Sequence, residues 1–147
     1  KYRAAWQAAG HQGRGNVYLR IPLYAAPTAQ AARDDAEETL VYYFERQSQM
    51  VAADAARRAQ EAGNDASNDG ERAKTAEALA ALSYEDILAS RVAVGSAPQL
   101  VDRLTELQTE LGLDGIVYEP NAGGLMSRAQ VKESLRILTH EVMPAFK

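Results

Sequence analysis

Tyr118, Glu119 and Asn121 close an apolar run, Gly123 and Gly124 follow, and Ser127 with Gln130 opens a helix. Each residue type brings a capability. The Asn121 amide can donate to and accept from a heteroaromatic edge. Glycines carry no Cβ, so Gly123 and Gly124 let a flat ligand approach the backbone. The helix start offers free N–H groups to an anion. Glu119 could act as a base, although one carboxylate without a partner is a weak signal. Ordinary turn chemistry explains Asn-Ala-Gly-Gly without any ligand, and the stretch matches neither GxGxxG nor a Walker loop.

The junction VGSAPQ has the same form. Ser96 at a helix start could hold phosphate, but pairing with Gln99 in a capping box accounts for it without one. His11 and His140 lie far apart and have no partners at ligand spacing, so no metal site is expected. His11 reads as a turn residue and His140 as a surface one. Tyr42 and Tyr43 read as packing residues, and the run DDAEE as a solvated first turn.

The elements that must position these residues follow from patterning. Residues 1–9 read as helix stopped by Gly10. NVYLRIPLYAA, 16–26, reads as a strand whose pairing Pro22 interrupts. Thr28 caps a long helix over roughly 29–60. The stretch 61–74 is polar and turn-rich and reads as a mobile insertion. Ser83 with Asp86, Ser96 with Gln99 and Ser127 with Gln130 form three capping boxes, each opening a helix. VAVGS, 92–96, is a candidate short strand, and LDGIVYEP, 113–120, an apolar strand of the kind buried in parallel sheets. Leu100, Val101, Leu104, Leu107 and Leu111 repeat at helical spacing. Val131, Leu135, Leu138 and Val142 carry the last helix to Pro144. Strands alternating with helices imply parallel βαβ units within one domain, 1–147.

Composition bounds the function. The 147 residues suffice for one core, and the chain is 46% hydrophobic and 24% charged. A net charge of −4 argues against a nucleic-acid partner. No run of ~18 apolar residues suggests a membrane span. The absence of cysteine excludes disulfides and thiolate chemistry and suits a cytoplasmic location. The chain begins at Lys1, within what reads as a helix, so a fragment of a longer product is expected.

Four segments together resemble the C-terminal part of the bacterial luciferase-like flavin monooxygenases. They are KYRAAWQAAGHQGRG; VYLRIPLYAA; SYEDILASRVAVGSAPQLVDRLTELQTELGLDGIVYEPNAGGLMS; and VKESLRILTHEVMPAF. The likeness covers most of the chain except the region around 50–80. It implies an α/β, helix-rich chain forming the C-terminal portion of a (β/α)8 TIM barrel, incomplete here. Such a barrel typically needs ~250 residues. The resemblance further implies reduced flavin mononucleotide (FMN), or in sister families the deazaflavin F420. Oxygen and a small organic substrate would be the reactants, with a flavin reductase as a partner.

The 61–74 insertion becomes a candidate lid. Most phosphate contacts and the usual catalytic histidine would lie upstream, so no catalytic residue is assigned. The cofactor-facing neighbourhood is Asn121, Gly123 and Gly124, with Tyr24 near the end of the first strand. An incomplete cylinder leaves sheet edges open, so a homo-oligomer is expected. Two other readings stand beside this one: an F420-dependent oxidoreductase on the same barrel, and a non-enzymatic α/β structural or interaction module.

Overall fold

The computed structural model describes residues 1–61 and 69–147. The principal elements among the described residues are α1 (Tyr2–Ala8), β1 (Tyr18–Ala25), α2 (Ala29–Glu61), α3 (Asp69–Ala80), α4 (Tyr84–Ser90), β2 (Ala93–Gly95), α5 (Ala97–Leu111), β3 (Gly115–Glu119) and α6 (Arg128–Ile137). The chain is a helix-rich α/β protein built on a small parallel sheet of order β2-β1-β3.

Pro22 marks where β1 changes neighbours. Tyr18–Pro22 align with Gly115–Glu119 of β3, and Leu23–Ala25 align with Ala93–Gly95 of β2. A proline has no N–H to give to a ladder, so a change of partner beside it loses little. β1 and β3 run parallel side by side. β2 flanks β1 on the other side, although it falls between them in the sequence. Three successive barrel staves would neighbour one another in chain order. The order 2-1-3 departs from that pattern, and it also occurs in open doubly wound sheets.

Side chains alternate across β1 and feed two cores. Ile21, Leu23 and Ala25 pack with Leu100, Leu104 and Leu107 of α5 and with Ile137, Leu138 and Val142 at the C-terminal end. Tyr24 and Ala26 pack on the opposite side with Ala32, Ala36, Leu40 and Phe44 of α2 and Ile87 of α4. Fully burying a leucine such as Leu100 contributes roughly 1.5–3 kcal/mol. The leucine stripe of α5 behaves as its spacing demands, except that Leu111 is exposed at the helix end.

Local signals set the helix ends. Thr28 Oγ1 accepts from Ala31 N at 3.1 Å. Capping boxes open α4, α5 and α6. Gly112 ends α5 in the left-handed region at φ 63°. The last helix is not uniform: α6 passes into a π turn at Leu138–Val142 and a 3-10 turn at Met143–Phe146. There Thr139 Oγ1 donates to Leu135 O, and His140 Nδ1 lies 3.0 Å from Arg136 O.

The expected insertion needs revision where it is described. Residues 69–74 belong to α3, which packs along α2, with Ser48 Oγ donating to Ala76 O at 3.0 Å. The rest of the expected loop, 62–68, lies outside the described residues. At the other end of the chain, Trp6 stacks on His11 with ring centroids 4.4 Å apart. Arg3 and Arg14 both pair with Asp114, which also accepts from Val17 N at 2.8 Å, tying the first helix to the start of β3. No described helix is long and apolar enough to cross a membrane.

Candidate functional site

The carboxyl ends of the strands lead into three helix starts: Thr28 before α2, Ser96 before α5 and Ser127 before α6. In parallel α/β folds this edge is where ligands bind. The loop after β3 is its most elaborate part.

Asn121 closes that loop on itself. Its Oδ1 accepts from Met126 N at 3.1 Å and its Nδ2 donates to Met126 O at 3.4 Å. Gly124 N donates to Asn121 O at 2.9 Å. The amide expected to face a heteroaromatic edge is thus engaged within the loop.

Gly123 is a glycine because of helix α2. At φ +91°, a Cβ on it would lie 2.1 Å from Thr39 O and 2.7 Å from Thr39 Oγ1. Thr39 is buried and binds the loop twice: its Oγ1 donates to Ala122 O at 2.6 Å and accepts from Leu125 N at 3.3 Å. The close approach read from the sequence is real, but the group that approaches is protein backbone. Gly124 differs. It is exposed at φ +81°, and a Cβ there would meet nothing within 4 Å. Of the glycine pair, only Gly124 presents open backbone.

Tyr24 is buried on the α2 side of β1, and its hydroxyl donates to Asp35 Oδ2 at 2.8 Å. Burial, and next the Asp35 hydrogen bond, push its pKa well above the ordinary phenol value. It is therefore a neutral donor rather than a base. Glu119 is held by Arg20 at 2.8 Å, with the Tyr43 hydroxyl at 3.4 Å, so the isolated carboxylate of the sequence has two partners. At the Ser96 junction, Gln99 Oε1 accepts from Ser96 N at 3.1 Å and from its hydroxyl at 3.0 Å. The side chain of Gln99 packs over Gly95.

Ser134 is a site residue that the sequence motifs do not single out. It is fully buried in α6, and its Oγ accepts from Ala25 N at 2.9 Å, fastening the end of β1 to the helix. The Tyr118 hydroxyl is buried without a hydrogen-bond partner in good geometry. Burial raises the Tyr118 pKa, and the Ser134 hydroxyl partly offsets that rise. Thr39 and Ser134 share a signal that sequence reading could use. Each is a hydroxyl residue in register with an apolar helix face, Thr39 three residues after Ala36 and Ser134 three after Val131.

Neither histidine reaches this edge: His11 stacks on Trp6 before β1, and His140 lies in the π turn. Among the described residues no group of three or more His, Asp or Glu side chains could hold a metal ion. The chemistry on offer at the rim is therefore neutral hydroxyls, one open glycine backbone and internally paired carboxylates. That set can hold a ligand but brings together no exposed nucleophile–base pair. Comparison with known proteins adds no further constraint: no family model and no curated protein sequence matches the chain.

Proposed function

We propose that the chain supplies part of the cofactor rim of a flavin-dependent oxidoreductase of the bacterial luciferase-like class and is catalytically incomplete by itself. The observation that carries this reading is the loop after β3, at the carboxyl end of a parallel sheet, with its open backbone at Gly124. When bound, reduced FMN would supply the electrons for oxygen chemistry on a small organic substrate, and a flavin reductase would supply the reduced cofactor.

The four expected contact residues fit this group unequally. Gly124 suits a flat ring approaching the backbone. Gly123 is shielded by Thr39, and the polar atoms of Asn121 and Tyr24 are already paired. Their part is to hold the rim rigid around Gly124. The deazaflavin F420 would meet the same residues.

The test is a fluorescence titration of FMN with the chain, with F420 as competitor. Saturable quenching is expected, weakened by Gly124→Asn, which tolerates a positive φ but places a side chain over the open backbone. No quenching at millimolar protein, or quenching indifferent to that substitution, would refute the reading. One observation favours a second reading, a non-enzymatic α/β module: nearly every polar group at the rim is consumed within the chain.

A further inference from the structure

We propose that Thr39 is the positioning residue of the rim: without touching the ligand, its hydroxyl sets the backbone course that leaves Gly124 open. The role rests on the flavin reading and adds to it the group that prepares the site.

The rim meets α2 along one line. Asp35, Thr39 and Tyr43 follow one another at four-residue spacing, so their side chains leave the helix on one face. Each reaches the carboxyl ends of the strands. Asp35 accepts from the Tyr24 hydroxyl at 2.8 Å, Thr39 binds the loop after β3, and the Tyr43 hydroxyl lies 3.4 Å from Glu119 Oε2. Thr39 stands in the middle of the three and is the buried one, at 2% exposed.

Its hydroxyl behaves unlike those of the other threonines described within helices. Thr75, Thr105, Thr109 and Thr139 each donate to the carbonyl four residues earlier, at Glu71, Val101, Thr105 and Leu135. A helical threonine commonly satisfies itself in that way. Thr39 instead donates across 83 positions of the chain to Ala122 O at 2.6 Å, and accepts from Leu125 N at 3.3 Å.

The two bonds fall on either side of the glycine pair. Ala122 precedes Gly123 and Leu125 follows Gly124, so a single oxygen atom brackets both. The pair sits at φ +91° and +81°. Glycine populates positive and negative φ about equally, so the pair by itself does not select this course. The bracket selects it. A loop held beforehand in its binding conformation spares the ligand the cost of ordering it.

Fluorescence titration of FMN against three variants tests this. Thr39→Val keeps the shape and removes the hydroxyl. Thr39→Ala repeats the removal without the second methyl group of valine, and Thr39→Ser keeps the hydroxyl. With folding verified by far-ultraviolet circular dichroism, the first two should raise the FMN dissociation constant about tenfold, and serine should stay within about twofold of wild type. The loss should vanish in a Gly124→Asn background, where the backbone that Thr39 prepares is already covered. Without any flavin, hydrogen exchange at the Leu125 amide should quicken in Thr39→Val and not in Thr39→Ser. Unchanged FMN affinity or unchanged Leu125 exchange in Thr39→Val would overturn the role and leave the flavin reading intact. An equal loss in Thr39→Ser, or a full further loss in the Gly124→Asn background, would do the same. A wild-type chain that does not quench FMN would instead overturn the flavin reading and this role together.

Discussion

The carboxyl rim and the β3 edge lie within a few residues of each other and differ in one respect. At the rim the polar groups are consumed internally: Asn121 by Met126, Thr39 by Ala122 and Leu125, Ser134 by Ala25, Tyr24 by Asp35. Along β3 one side of the strand has no neighbouring strand among the described residues. Buried polar groups cost free energy unless partnered, so a loop that folds over a helix must satisfy itself, whereas an edge open to solvent need not. The difference separates a region shaped by its own packing from one left for something outside the chain.

The largest effect is expected where the rim is tightest. Gly123→Ala would drive a methyl into Thr39 O and force a positive φ on alanine. A loss of roughly 3–5 kcal/mol in denaturant unfolding should follow. A loss below about 1 kcal/mol would mean that the loop–helix contact yields easily.

Next comes the contrast between strands. Ile21→Ala in buried β1 should cost roughly 2–4 kcal/mol. Val117→Ala on β3 should change the unfolding of the isolated chain by less than about 0.5 kcal/mol. Equal costs at the two positions would erase the distinction between the strands. Ser134→Ala leaves Ala25 N–H buried without its acceptor and should cost about 1–3 kcal/mol. Protection of that amide from hydrogen exchange should fall with it.

The smallest effect concerns pH. Val17 N–H first, and then Arg14 and Arg3, hold the Asp114 carboxyl below the ordinary carboxylate range. A group whose folded pKa is depressed stabilises the fold above its unfolded pKa. That contribution is lost as pH falls through the folded value. Thermal midpoints should therefore decline as pH drops below about 4, and the decline should be shallower in Asp114→Asn. An unchanged profile in the variant would show that the Arg3–Asp114–Arg14 cluster does not couple to folding.

Much of this framework is legible in the sequence. All three capping boxes open the helices their spacing predicts, and the strands fall within two residues of their expected ends. Local chemistry sets those features, and local chemistry is what a sequence displays. α3 is not legible because EAGNDASNDGERAK has no apolar period; its helix at 69–80 packs against α2 through small residues such as Ala76. The sheet order is hidden because nothing within GIVYE records that its neighbour is β1 rather than β2. At the rim Gly123 does mark a place of close approach. Its true neighbour, Thr39, cannot be named from residues so distant in sequence.

The stacked pair at the amino end gives the protein an optical gauge of its own. Trp6 is the sole indole in the chain and lies against His11, on a helix fastened through Arg3 to the start of β3. Emission at long wavelength therefore reports one event, the seating of that first helix, without any added label. A change in brightness or colour that precedes global unfolding would show the helix lifting away while the sheet stays intact.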